Sequence, residues 1–348
     1  MINPNTFTTE HIQNIRGETK RDPALIERSI FALGLLEAIS RSDLPFIFKG
    51  GTSLMLLLDN PRRFSTDIDI VVSPGIDVDR YLSHAALIWP FVRMTEDIRD
   101  KNNDIEKRHF KFSYSSPLAG NDTTILLDIL FEENPYSTVV TKYNDCELLL
   151  TEQPNISVQL PSANCILADK LTAFAPYTTG IKYGINKELE IVKQLYDISS
   201  LLNYIDNFSE VKSCYAKIAI NELKYRNLNI SPNDVLNDTL KAAACVASRG
   251  RYLPEDYSNL LKGINNIRNH IISENFNGEI AVQCACMVMY IAAAILTNQD
   301  SLPDIKDDSF YKSINLDFGE YKGLSKIWKN DMLAYKYLVE AITMLSQQ

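Results

Sequence analysis

Residues 46–54 read Phe-Ile-Phe-Lys-Gly-Gly-Thr-Ser-Leu, and residues 62–72 read Arg-Arg-Phe-Ser-Thr-Asp-Ile-Asp-Ile-Val-Val. The apolar run Phe46–Phe48 predicts a short buried strand. Gly50 and Gly51 allow a tight turn and a close approach of backbone to a ligand. Thr52 and Ser53 are read as caps of the helix that follows, and Leu54–Leu58 gives that helix an apolar body. A helix start preceded by glycines attracts anions, because its N–H groups and its dipole both face the ligand. In the second stretch the alternation of Asp67 and Asp69 with isoleucine predicts a strand. Residues i and i+2 of a strand share a face, so the two carboxylates lie about 7 Å apart on one side. Like charges so close call for a cation, and hard oxygen ligands suit Mg²⁺ or Mn²⁺.

Gly50-Gly51-Thr-Ser-Leu followed by Arg63-Phe-Ser-Thr-Asp67-Ile-Asp69 resembles the nucleotidyltransferase superfamily: two small residues, a helix, then Asp-x-Asp on a strand. More narrowly it is similar to the AbiEii toxin family of abortive-infection and type IV toxin–antitoxin systems. The string Arg-Phe-Ser-Thr-Asp-Ile-Asp is the specific part. Residues 52–66 separate the glycines from Asp67, a spacing usual for this branch.

The rest of the chain places this stretch in a two-part protein. A length of 348 residues suffices for two domains, and 45% hydrophobic with 23% charged residues is ordinary for a soluble globular chain. The net charge of −9 argues against indiscriminate nucleic-acid binding, though a local basic patch can still grip one RNA. The six cysteines show no metal-ligand spacing, and Cys284-Ala-Cys286, set in an apolar helical run, reads as core thiol, for which a reducing cytoplasm is the simplest setting. With no signal-peptide pattern, and with the apolar run Ala281–Leu296 too short to span a bilayer, the expected setting is the cytoplasm, with no membrane partner.

Before the quoted stretch, Asp22 followed by Pro23 signals a helix start, and Ile26, Ile30, Leu33, Leu36 and Ile39 recur at helical spacing. After it, Val78–Val92 reads as a helix ended or kinked by Pro90. His109–Tyr114, Thr123–Phe131, Cys146–Leu150 and Ile156–Leu160 read as strands. Asp128 is the one charge inside an apolar strand, which is costly unless it is paired, metal-bound or facing water at an edge. The resemblance implies a third metal carboxylate on a neighbouring strand, and Asp128 is the candidate. His109 reads as a strand-surface histidine rather than a ligand.

Ile166–Ala175 and Glu188–Leu202 read as helices around a break at 176–184. This pair resembles the family's Asp/Glu-Lys-Leu-x-Ala helix, basic loop and later Asp-x-x-x-Leu. The resemblance implies that Lys170 contacts nucleotide phosphates and that Asp197 completes the site, as general base or by positioning the acceptor. Gln194 replaces an acid common in the family. From 203 onward the chain reads as helical. Lys217, Lys224, Arg226, Arg249, Arg251, Lys262 and Arg268, with Tyr225 and Tyr252 interleaved, form either an RNA groove or a solvated face.

The expected fold is therefore an α/β (α+β) nucleotidyltransferase core with a mixed sheet over 1–162, followed by an all-helical domain over 163–348 that contributes Lys170 and Asp197. The resemblance implies an enzyme that moves a nucleoside monophosphate from a nucleoside triphosphate to an acceptor, with Mg²⁺ or Mn²⁺ as cofactor. The catalytic set is Asp67, Asp69, Lys170 and Asp197. Nucleotide contacts fall to Gly50, Gly51, Thr52, Ser53, Ser65 and Lys170. Metal ligands are Asp67, Asp69 and Asp128. In the family the acceptor is often the 3′ end of tRNA, and the enzyme is a toxin with a role in phage defence, restrained by a separately encoded antitoxin. Modification of a small molecule or a protein, and an inactive nucleotide-binding module, are the alternatives.

Overall fold

The protein is described by a computed structural model covering residues 1–98 and 106–347. The chain divides into two compact units. One holds Met1–Ser162 with Asn269–Asn275, the other Ala163–Arg268 with Phe276–Gln348.

The first unit opens with α1 (Thr9–Thr19) and α2 (Pro23–Ser40). Asp22 caps α2, its Oδ1 accepting from Ala24 N at 2.9 Å, with Pro23 at the first helical position. Then come β1 (Ile47–Lys49), α3 (Gly50–Leu57), β2 (Asp67–Val72), α4 (Asp79–Ala85), β3 (Phe91–Glu96), β4 (Lys107–Ser115) and β5 (Asp122–Phe131). These strands form one sheet in the order β1-β2-β5-β4-β3. β2 and β5 run parallel and the other pairs are antiparallel, so the sheet is mixed. β6 (Val139–Tyr143) and β7 (Ser157–Pro161) pair as a separate two-stranded sheet, with β7 packed near β1.

The core of this unit forms where α2 covers the sheet. Ile30, Leu33, Ile68, Ile70, Phe112, Ile125 and Leu127 are all fully buried. Phe31 stacks on Tyr114 with centroids 3.6 Å apart. Glu27 of α2 is also buried. It accepts from Tyr114 Oη at 3.0 Å and Ser116 Oγ at 3.0 Å, which satisfies a charge that would otherwise be costly. In β2 the alternation decides the sheet's two faces: Ile68 and Ile70 are buried, while Asp67 and Asp69 are half-buried on the opposite side.

Three local expectations are corrected. Val78–Val92 is not one helix. α4 ends at Ala85, and Phe91 begins β3, an edge strand with mostly exposed side chains. Cys146–Leu150 is not a strand; it is a turn segment that buries Leu148 and Leu149. Thr52 and Ser53 do not cap α3, because the helix already starts at Gly50, with Lys49 at the cap position.

The second unit is helical: α5 (Ala163–Ala173), α6 (Glu188–Leu201), α7 (Phe208–Tyr225), α8 (Pro232–Ala247), α9 (Pro254–Ile267), α10 (Gly278–Leu296), α11 (Asp308–Ser313) and α12 (Met332–Leu345). Ser231 and Asp234 form a capping box on α8. α10 is long and apolar enough to cross a membrane, but 67% of its apolar window is buried inside the protein, as for a core helix. All six cysteines are free, and five are buried.

Candidate active site

The site is built on four adjacent strands. Lys49 of β1 is level with Asp69 of β2, Asp69 with Asp128 of β5, and Asp128 with His109 of β4. Register partners lie on the same face, so a row of Lys, Asp, Asp and His crosses the sheet, with neighbouring strands about 4.8 Å apart. Asp67 lies two residues before Asp69 on the same face. The two central acids of the row are thus flanked by basic side chains at both ends. His109 Nδ1 lies 2.7 Å from Asp128 Oδ1. Arg28 of α2 approaches Asp67, Nη2 to Oδ1, at 3.9 Å. Strand register brings Lys49 and His109 level with the acids, and the packing of α2 brings Arg28 to Asp67; none of these three placements is legible in local sequence.

Two glycines set the near wall. Gly50 has φ of +81°, and a Cβ there would lie 2.1 Å from Asp69 Oδ2. The Asp69 carboxylate therefore occupies the space a side chain would fill. A Cβ on Gly51 would lie 2.4 Å from Arg63 Nη2 and 2.9 Å from Ser65 Oγ. Arg63 is buried, and its Nη1 donates to the Phe64 carbonyl at 3.0 Å. The backbone of Arg62–Phe64 is held in turn by the 269–275 segment: Phe64 N donates to His270 O at 2.8 Å, and Ile272 N to Arg62 O at 2.9 Å. This explains why arginine and serine stand where they do in the Arg63-Phe-Ser-Thr-Asp string. Both lie against the glycine turn. The sequence carried the residues but not the return segment that clamps them.

Thr52 and Ser53 are fully buried. Thr52 Oγ1 donates to the Asp67 carbonyl at 2.5 Å, and Ser53 Oγ to the Gly50 carbonyl at 2.8 Å. Their hydroxyls tie the turn to β2, while the first N–H groups of α3 have no partners within the helix.

Lys170 and Asp197 lie in the second unit, on α5 and α6. The structure brings these two together: Nζ and Oδ2 are 2.9 Å apart, and the side chains are 9% and 2% exposed. On α6, Lys193 is paired with Glu190, and Glu188 with Lys262 of α9. Of the cations considered for an RNA groove, Arg226 is held by Glu222, Arg249 by Glu279 and Lys262 by Glu188.

Among the described residues no three His, Cys, Asp or Glu side chains already converge as a metal cage. The donor set nevertheless suits a hard divalent cation: Asp67 and Asp69 offer half-buried oxygens on one face, and the empty Cβ position of Gly50 gives the Asp69 carboxylate room.

Gly50 provides a direct test. Gly50→Ala should lower transfer at least a hundredfold, because the new methyl group must displace the Asp69 carboxylate. Gly75→Ala is the control. Its φ of +83° is the same, but nothing lies within 4 Å of the added carbon. Both variants should lose about 1–2 kcal/mol for the left-handed backbone. Equal activity in the two, measured by label transfer, would mean that the position of Asp69 is not critical.

A glycine turn, a short helix and a paired acidic strand on a mixed sheet define a nucleotidyltransferase. The family model described as nucleotidyl transferase AbiEii toxin, type IV toxin–antitoxin system, matches residues 34–268. That is well over half of the chain, which belongs to this family. No curated protein matches the chain. Among solved structures, JHP933 from Helicobacter pylori is similar at 16% identity with a TM-score of 0.43, covering 78% of this chain and 93% of that one. A second H. pylori protein, described as a candidate nucleotidyltransferase, aligns at 15% identity and a TM-score of 0.45, covering 80% and 99%. An antigenic nucleotidyltransferase-like protein from Paracoccidioides brasiliensis aligns at 15% and 0.35, covering 65% and 96%. The family carries with it a nucleoside triphosphate substrate, a divalent metal and a cognate antitoxin.

Proposed function

We propose that the enzyme transfers a nucleoside monophosphate from a nucleoside triphosphate to an RNA, in the cytoplasm, with the 3′ end of tRNA as the acceptor. Blocking that end would halt aminoacylation, and with it translation. This is the basis of a toxin role in phage defence that a separately encoded antitoxin restrains. The observation that carries the chemistry is the half-buried pair Asp67 and Asp69 beside a glycine whose missing side chain makes room for one of them.

Asp67 and Asp69, with Asp128 as third ligand, would hold Mg²⁺ or Mn²⁺, which supplies Lewis-acid polarisation and neutralises phosphate charge. The Gly50–Gly51 turn lets phosphate oxygens reach the first N–H groups of α3, including those of Thr52 and Ser53. Ser65, against the same turn, donates to a phosphate oxygen or braces the loop. In the transfer itself an acceptor hydroxyl oxygen bonds to the α-phosphorus as the bond to pyrophosphate breaks. Lys170 contributes positive charge to the phosphates. Its partner Asp197 fixes that charge and receives or orients the acceptor's proton.

The test is incubation of the purified chain with each α-³²P-labelled nucleoside triphosphate, Mg²⁺, and total cellular RNA or protein. Label should enter RNA, disappear with EDTA and return with added Mg²⁺ or Mn²⁺. Label in protein or in a small molecule would overturn the acceptor, and undiminished transfer in EDTA would overturn the metal.

A further inference from the structure

Away from the acidic strand, the second unit carries a cleft of about 190 Å³ lined by Arg249, Arg251, Lys326, Lys329, Glu279 and Asp331. Four of these are positive and two negative, a local excess of cations in a chain of net charge −9. Both carboxylates are engaged in the wall. Glu279 is paired with Arg249, and Asp331 caps α12, its Oδ1 accepting from Ala334 N at 2.9 Å. Arg251 is anchored through Nε to the Ser248 carbonyl at 3.1 Å, and its guanidinium fork carries further donors. The turn that bears both arginines is fixed by positive φ at Arg249 (53°), Gly250 (79°) and Leu253 (55°).

An exposed aromatic ring outside the cleft lining lies beside one of these cations, Lys329. Lys329 Nζ stands 5.7 Å from the centroid of the Trp328 ring, and Trp328 is 45% exposed. The cleft is smaller than the ~300 Å³ at which pockets begin to take drug-sized ligands, so it suits one charged group rather than a whole nucleotide. Clustered cations favour an anion, and cations beside an exposed aromatic are the pattern that grips single-stranded nucleic acid.

We infer that this cleft is a phosphodiester subsite for a single-stranded RNA, with Trp328 stacking on a base next to the bound phosphate. The inference rests on the RNA-acceptor reading above. It adds to that reading the residues that grip the strand: Arg251, Lys326 and Lys329.

The test titrates the full chain with a short, unstructured, fluorescein-labelled RNA at several salt concentrations. Arg251→Ala/Lys326→Ala/Lys329→Ala should weaken binding at least tenfold. It should also flatten the salt dependence by about 2 in log–log slope, at about 0.7 per lost phosphate contact on a single strand. Its melting curve should match that of the parent chain. In Trp89→Phe, Trp328 is the only tryptophan left, and RNA should quench its emission. If the triple variant binds RNA with the parent affinity and slope while the parent labels RNA, the subsite falls and the acceptor reading stands. If label enters protein instead, yet the oligonucleotide still binds through the three cations, the acceptor reading falls and the subsite stands. A parent chain that neither binds the oligonucleotide nor labels RNA removes both.

Discussion

Asp69→Ala should abolish nucleotide transfer and leave the chain folded. Asp69 sits level with Asp128 on the neighbouring parallel strand, so two carboxylates share one face at strand spacing. Removing Asp69 takes a like charge from beside Asp128 and an opposite charge from beside Lys49, and it opens no core cavity, since the side chain is half-buried and Ile68 and Ile70 hold the other face. The melting temperature should therefore change little, while transfer falls by about a thousandfold or more, as when a preorganised electrostatic group is deleted. Asp67→Ala should behave alike. Its approach to Arg28 is exposed and at 3.9 Å, so it contributes under about 1 kcal/mol. Expression of either variant should no longer arrest growth. Label transfer and a thermal melt read the two effects separately. A variant that transfers at the parent rate would remove the acidic pair from the reaction.

The acidic pair was legible because its determinants are local. A turn needs its glycines in sequence, and a strand face repeats every second residue. Helix α2 was legible for the same reason, from Asp22-Pro23 and its apolar spacing. Strand β3 was not. It is an edge strand whose side chains are exposed on both faces over Val92, Arg93, Thr95 and Glu96, so no alternation marks it. The run Cys146–Leu150 misled in the opposite sense, since apolar residues buried under a turn look like a strand in sequence.

Distance along the chain limited the rest of the site. Asp128 drew attention as a charge in an apolar strand, but only the parallel pairing of β2 with β5 sets it level with Asp69. His109 read as a surface histidine, yet its ring meets Asp128 at 2.7 Å because β4 and β5 pair in one particular register. Arg63 was part of the string that carries the resemblance. Its reason, a guanidinium against Gly51 on a segment paired with residues 270–272, needs a return of the chain some two hundred residues later. Periodicity cannot encode such a contact.

The buried ion pair of the second unit provides the other large effect. Asp197→Ala leaves the ammonium of Lys170 buried without the carboxylate that now stands 2.9 Å away. Breaking one side of such a pair costs about 3–5 kcal/mol, because the remaining charge has lost both water and partner. For a unit of this size that should lower the melting temperature by on the order of 10 °C. Replacing both members with apolar side chains of similar volume, Lys170→Met/Asp197→Leu, removes the buried charge altogether and should restore stability to within about 1–2 kcal/mol of the parent. Transfer separates the structural role from the chemical one. If Lys170 supplies charge to the phosphates, the double variant is as stable as the parent and still inactive. If it is stable and active, the pair serves only to hold α5 against α6, and Lys170 and Asp197 leave the proposed mechanism while the acidic strand keeps its place in it.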